Sequence, residues 1–141
     1  MLDPHCPFCG ILQGAAHAYI LFKDARTTAF LDLRPINPGH ALVIPNEHEP
    51  DFYLLPDDLC TDLILSVKRL ATVVAAVTRP RKVGVVIAGF DVPHAHVHVV
   101  PMHDYHDITS RAFTDPDRIP PTETQFKEMA ERMRREMERY H

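Results

Sequence analysis

The sequence predicts an α+β domain: an antiparallel sheet of about five strands, one long helix crossing a face of it, and a second helix at the C-terminus. Three observations carry this. Short runs rich in β-branched and aromatic residues, punctuated by Pro, Gly and Asp, lie on either side of one long helical stretch. Within that stretch, Leu59, Leu63, Val67, Leu70, Val74 and Val77 recur at spacings of three or four, one face of a helix. Finally, His94-Ala95-His96-Val97-His98-Val99-Val100 alternates imidazoles with small or β-branched residues, the two-residue period of a strand.

The first ten residues form a short arm containing Cys6-Pro7-Phe8-Cys9, with a helical turn through Gln13 that Gly14 stops. Residues 18–23 read as a strand, Asp24 and Arg26 as a turn, and 27–33 as the returning strand. Residues 34–39 (Arg-Pro-Ile-Asn-Pro-Gly) form a loop. Residues 40–44 form a buried strand closed by Pro45. The long helix spans 56–78, with Asp57 and Asp58 suited to the dipole at its start. A short strand at 83–88 leads through Gly89-Phe90-Asp91-Val92-Pro93 into the histidine strand. Residues 102–121 read as irregular. Residues 122–140 read as a charged helix whose stripe Phe126, Met129, Ala130, Met133 and Met137 suits core or dimer packing.

The 141 residues fit one domain, with a motif-bearing core at about 6–101 and a C-terminal extension at 102–141. A hydrophobic fraction of 45% and a charged fraction of 24% are ordinary for a soluble globular protein. The net charge is −4 and the basic residues gather only near the C-terminus, so no nucleic-acid surface is expected. No run of about 20 apolar residues predicts a membrane span, and the start does not resemble a signal peptide. A cytoplasmic protein is expected. Three cysteines, Cys6, Cys9 and Cys60, do not suggest a disulfide framework.

On an extended strand, His94, His96 and His98 share a face with anchors about 6.6 Å apart, while Ala95, Val97 and Val99 face a core. Neighbouring rings at that spacing suit a shared small group or a metal. His96, in the middle, is a competent nucleophile toward phosphorus. Cys6-x-x-Cys9 has the spacing of two zinc ligands; redox use is the alternative, but the pair does not open a long helix after a strand. The remaining ligands must lie beyond the arm, with His48 and His94 the candidates for a closed, structural Cys2His2 set. His40 opens a strand beside Gly39 and is either a satisfied structural residue or a group reaching a cleft. Asp32 is either solvated or an acceptor for ribose hydroxyls. Gly89 lets backbone approach a ligand, and N–H groups at 90–92 suit phosphate oxygens.

Residues 94–100 fit the pattern His-φ-His-φ-His-φ-φ, with φ apolar, at every position. Together with Cys6-Pro7-Phe8-Cys9, the run 29–35, the run 38–45 and Asn46-Glu47-His48, they resemble the histidine triad (HIT) family. The resemblance implies a homodimeric α+β fold binding a purine nucleotide over the sheet. It also implies hydrolysis or nucleotidyl transfer at the α-phosphate of a nucleoside phosphoramidate, an adenylated metabolite or a dinucleoside polyphosphate, as in a nucleotide phosphoramidase or dinucleoside polyphosphate-type hydrolase, with no redox cofactor. On that pattern His96 is the nucleophile forming a covalent nucleotidyl-histidine, His98 stabilises phosphate charge, and His40 is a fourth histidine near the triad. Phe30, Asp32 and Leu33 hold base and ribose, and Gly89, Phe90, Asp91 and Val92 border the phosphates. Family members beginning with Cys-x-x-Cys imply zinc on Cys6, Cys9, His48 and His94. The stretch 89–92 departs from the family, which usually carries glutamine and serine or threonine there; Asp91 would repel a phosphate it faced. Two other readings are a nucleotide-binding module with little catalysis and a metalloenzyme using all three strand histidines.

Overall fold

The computed structural model describes residues 1–109, 111 and 115–140. Residues 110, 112–114 and 141, part of the expected C-terminal extension, lie outside the described residues. In order, the elements are α1 (Pro7–Leu12), β1 (Ile20–Lys23), β2 (Thr27–Leu31), β3 (Ala41–Pro45), α2 (Asp57–Thr78), β4 (Lys82–Val86), β5 (Val97–Met102) and α3 (Glu123–Met137). Short 3-10 turns occupy Phe52–Leu54 and Tyr105–Ile108. The five strands form one antiparallel sheet in the order β1-β2-β3-β5-β4, so β5 lies between β3 and the edge strand β4.

The sheet has two covered regions because its strands alternate. Ala29, Leu31, Ala41, Val43, Val97 and Val99 face a core completed by α2 and α3. On α2 the predicted stripe is buried from Leu59 to Val74, and Val77 packs partly against it. The helix ends because Arg79 turns into the left-handed region (φ 49°) and its N–H returns to the Ala75 carbonyl. The methionine stripe of α3 belongs to this same core: Met133 is fully buried and Phe126 stacks on Tyr19 at 5.0 Å. Thr122 caps α3 reciprocally with Gln125. Gly39, at φ 98°, is turned where a side chain would run into Thr78 and Met133, so the β2–β3 loop needs glycine there.

On the other region, Phe30, Leu42 and Ile44 pack under Cys6, Phe8 and Cys9 of the N-terminal arm. The arm turns over the sheet because Pro7 opens α1 while the Cys6 sulfur caps it, accepting from the Cys9 amide. Burying Phe8 there stabilises the arm by roughly 2 kcal/mol.

The strand boundaries differ from those expected in one way that matters for function. β5 begins at Val97, not His94, and continues through Pro101 to Met102. His94 sits in a bend whose amide bonds to the Val92 carbonyl at 2.8 Å, and the Ala95 amide reaches across to Glu49. Pro101 is tolerated because pairing with β3 ends at Val99, leaving β4 as its one strand neighbour. Similarly, β2 ends at Leu31 and β3 begins at Ala41, which leaves Asp32, Leu33 and His40 at the open end of the strand pair.

Candidate active site

A cleft of about 600 Å3 opens where that end of β2 and β3 meets β5 and the N-terminal arm. Its apolar wall includes Phe8, Ile11, Ala18, Phe30 and Leu42; its polar wall includes Asp32, His40, His96, His98 and Asp91. Aromatic and aliphatic groups on one side and titratable groups on the other suit a ligand with a flat apolar part and a charged part.

Backbone partners assign the proton on each imidazole. His96 Nδ1 lies 2.7 Å from the His94 carbonyl, which only accepts, so Nδ1 carries the proton and Nε2 keeps its lone pair. The ring is held edge-to-face by Phe8, with centroids 5.1 Å apart. His40 Nδ1 accepts from the Ile36 amide at 3.0 Å, so the His40 proton sits on Nε2. Nε2 lies 2.9 Å from His98 Nδ1, which must therefore accept, leaving the His98 proton on its own Nε2. Two adjacent rings, 5.1 Å apart, thus hold opposite tautomers: His96 with a basic Nε2 and His98 with a donating Nε2. Asp32 stands beside the relay, its Oδ2 at 3.4 Å from His40 Nε2 and 3.8 Å from His98 Nδ1.

Burial keeps the relay neutral. It pushes both His40 and His98 down to about 4. The nearby Asp32 carboxylate opposes the shift in both, but desolvation is larger, and the neighbouring histidines add to it. At neutral pH these rings donate and accept without charge.

A second cluster lies under the arm. Cys6 Sγ is 3.4 Å from His94 Nδ1, and Cys9 Sγ is 3.3 Å from His48 Nδ1 and 3.5 Å from His94 Nδ1. The four donor atoms lie within 4.8 Å of one another. Zinc bonds of about 2.3 Å to sulfur and about 2.0 Å to nitrogen set tetrahedral edges of about 3.5 Å between unlike donors, so the set fits that ion. The outer nitrogens fit as well. His94 Nε2 donates to the Pro45 carbonyl at 2.9 Å, and His48 Nε2 faces Asp3 at 3.8 Å. Asp32, His40 and His98 are also close enough to share an ion. There the outer hydrogen bond does not fit: with Nδ1 accepting from the Ile36 amide, His40 Nε2 has a proton rather than a lone pair to offer. His94, His96 and His98 do not form one ligand set among the described residues, because His94 turns to the cysteines.

The structure brings Phe30, Asp32, Leu33, Asp91, Val92, His40, His96 and His98 to the cleft and Cys6, Cys9, His48 and His94 to the cluster. Gly89 and Phe90 do not line the cleft. Gly89 bends the chain at φ 84°, and the Phe90 side chain is 96% exposed. Sequence reasoning missed Phe8, Arg34 and Arg118 as cleft residues. Phe8, between the two cysteines, was within reach of inference once the arm was tied to the sheet. Arg118, in an irregular segment, carried no local signal.

A HIT domain family model matches residues 13–105 of the chain. The adenosine 5′-monophosphoramidase of Saccharomyces cerevisiae is 35% identical over 104 residues, covering 73% of this chain and 66% of that protein. Among solved structures, a hypothetical histidine triad nucleotide-binding protein from Sulfolobus tokodaii superposes with a TM-score of 0.81 at 25% identity, over 95% of this chain and 93% of that one. A Zn-bound histidine triad family protein from Mycobacterium smegmatis superposes with a TM-score of 0.77 at 27% identity, over 96% and 94%. With the histidine relay, the sheet and these likenesses in agreement, the chain belongs to the histidine triad (HIT) family.

Proposed function

We propose that the protein is a nucleotide hydrolase or nucleotidyl transferase acting at the α-phosphate of purine nucleotide derivatives, with phosphoramidates the leading substrate class. The observation that carries this reading is the bond from His96 Nδ1 to the His94 carbonyl, which leaves Nε2 as a lone-pair nucleophile beside a donating His98. His96 Nε2 attacks phosphorus, and the bond from phosphorus to the leaving group breaks with its electron pair on that group, which takes up a proton from water as it departs; the water that later resolves the adduct gives a proton back. The product is a nucleotidyl-histidine. Water or another acceptor then forms a new bond to phosphorus, and the phosphorus–nitrogen bond breaks to restore His96. His98 Nε2–H donates to the phosphate oxygens as charge builds on them. Phe30 and Leu33 hold the base, and Asp32 is the acceptor for ribose hydroxyls. The relatedness to an adenosine 5′-monophosphoramidase supports this assignment.

Cys6, Cys9, His48 and His94 are the residues that would hold zinc, and the donor set supports a closed structural site. Zinc there would supply a clamp between arm and sheet. The chain's own part is to keep the His94 carbonyl aimed at His96. We read the active unit as a homodimer, supported by the outer side of β4, which pairs with no strand among the described residues, and by its exposed Val85; light scattering checks it.

Substituting His96→Ala is expected to lower turnover of a fluorogenic adenosine phosphoramidate by on the order of 10³-fold or more while AMP still binds. Retained turnover, or an adduct on another residue, overturns the nucleophile assignment. The carboxylate of Asp91 in the cleft wall favours a second reading, a nucleotide-binding module with little catalysis. Binding of AMP by the unaltered protein without turnover of the phosphoramidate would establish that reading instead.

A further inference from the structure

A nucleotide phosphate brings up to two negative charges into a cleft that must balance them. Two of the imidazoles facing it, His40 and His98, do not supply that balance at neutral pH, since burial holds them neutral. Asp32 and Asp91 add negative charge to the same wall. The arginines lining the cleft are Arg34 and Arg118. Arg34 is exposed at the rim, where water screens it. Arg118 is different. It comes from the segment between the 3-10 turn and α3, far along the chain from the histidines, yet it lines the same cavity as His96 and His98. Its Nε and Nη1 atoms are removed from water. Its charge is felt at His40, whose proton affinity it lowers. A guanidinium stays ionised in any such setting and presents several donors in a plane that fits phosphate oxygens.

We propose that Arg118 is the phosphate-binding cation of the cleft, delivered by the C-terminal segment to offset the two carboxylates and to select anionic nucleotides over neutral nucleosides. The proposal rests on reading the cleft as a nucleotide site. Asp91 makes a cation necessary, because it places a carboxylate in the cleft wall. The cation arrives instead from a segment that the central sheet does not contain. From Arg118 the chain runs into α3, which is anchored in the core through Phe126 and Met133.

The test compares AMP with adenosine by calorimetry on the full chain carrying Arg118→Gln or Arg118→Lys. Gln keeps polar donors and removes the charge; Lys keeps the charge and loses the planar fork. For Gln, AMP affinity is expected to fall about 10- to 100-fold, the loss typical of a charged hydrogen bond. Adenosine affinity should stay within about threefold, and Lys should restore part of the AMP preference. An equal loss for both ligands would make Arg118 a structural wall residue, and an unchanged AMP affinity would remove it from the phosphate site; either overturns the proposal. If the unaltered protein binds neither ligand, the nucleotide reading itself fails, an outcome distinct from a failure of Arg118 alone.

Discussion

His40 shows how a single backbone hydrogen bond propagates to a neighbouring ring. The Ile36 amide occupies Nδ1, Nε2 must therefore donate, and His98 must accept on its inner nitrogen. In the proposed mechanism His40 is thus a positioning residue whose effect is expected one ring away. Removing its donor with His40→Ala is expected to lower kcat about 10- to 100-fold with KM changed less than about threefold, because His98 is freed to take the other tautomer. His40→Gln, whose amide N–H stands near the Nε2 position, should recover part of that loss. Nitrogen NMR of His98 is the readout a merely structural role would not move; an unchanged tautomer in His40→Ala would refute the relay. Asp32, close to both rings, does not ionise them, because desolvation outweighs its attraction.

At the scale of elements, the N-terminal arm and the bend before β5 act as one unit. α1 is only six residues long and would not persist alone; it is held by Phe8 against Phe30 and by the cysteine–histidine cluster. Its tie to function is short: the His94 ring belongs to the cluster while the His94 carbonyl orients His96. Replacing both cysteines, Cys6→Ser with Cys9→Ser, is expected to abolish zinc retention measured by metal analysis. It should also lower Tm by about 5–15 °C, equivalent to roughly 2–3 kcal/mol in a domain of this size. Zinc retained in the double variant would move the metal elsewhere. An unchanged Tm would mean that apolar packing alone holds the arm.

For the whole molecule, the buried relay makes stability depend on pH. His40 is faced by Asp32, His98 and Arg118, and His98 by His40, His96, Asp32 and Asp91. Both rings titrate near 4 when folded, against about 6.5 in an unfolded chain. Between those values the unfolded chain binds more protons, so stability is full above about pH 6.5 and is lost as pH falls toward 4. The urea midpoint should therefore drop between pH 7.5 and pH 5, and the drop should be smaller in His98→Asn. Equal slopes for the two proteins would show that the loss comes from other groups, such as the cysteine–histidine cluster. No described helix is long and apolar enough to cross a membrane.

Much of this was legible in the residues themselves. The helix period from Leu59 to Val74, the capped α3 and the alternation of Ala95, Val97 and Val99 with histidines are local patterns, and burial follows them. The pairing of Cys6 and Cys9 with His48 and His94 was also within reach, because thiolates spaced for one metal need two more donors and few residues offer them. Strand ends were not legible. Whether His94 lies in β5 or in a bend is decided by hydrogen bonds to Val92 and Glu49, which no local pattern encodes. Protonation was equally hidden: three similar histidines differ in which nitrogen is free only because Cys6, a carbonyl and His40 sit at their nitrogens. Arg118 depends on folding most of all, since it shares a cleft with His96 and His98 from a distant part of the chain. The sequence alone thus determined which side chains alternate, cap and pair, because those effects act over a few residues. Only the tertiary structure decided which nitrogen carries each proton and which cation enters the cleft, because both depend on groups brought together from distant parts of the chain.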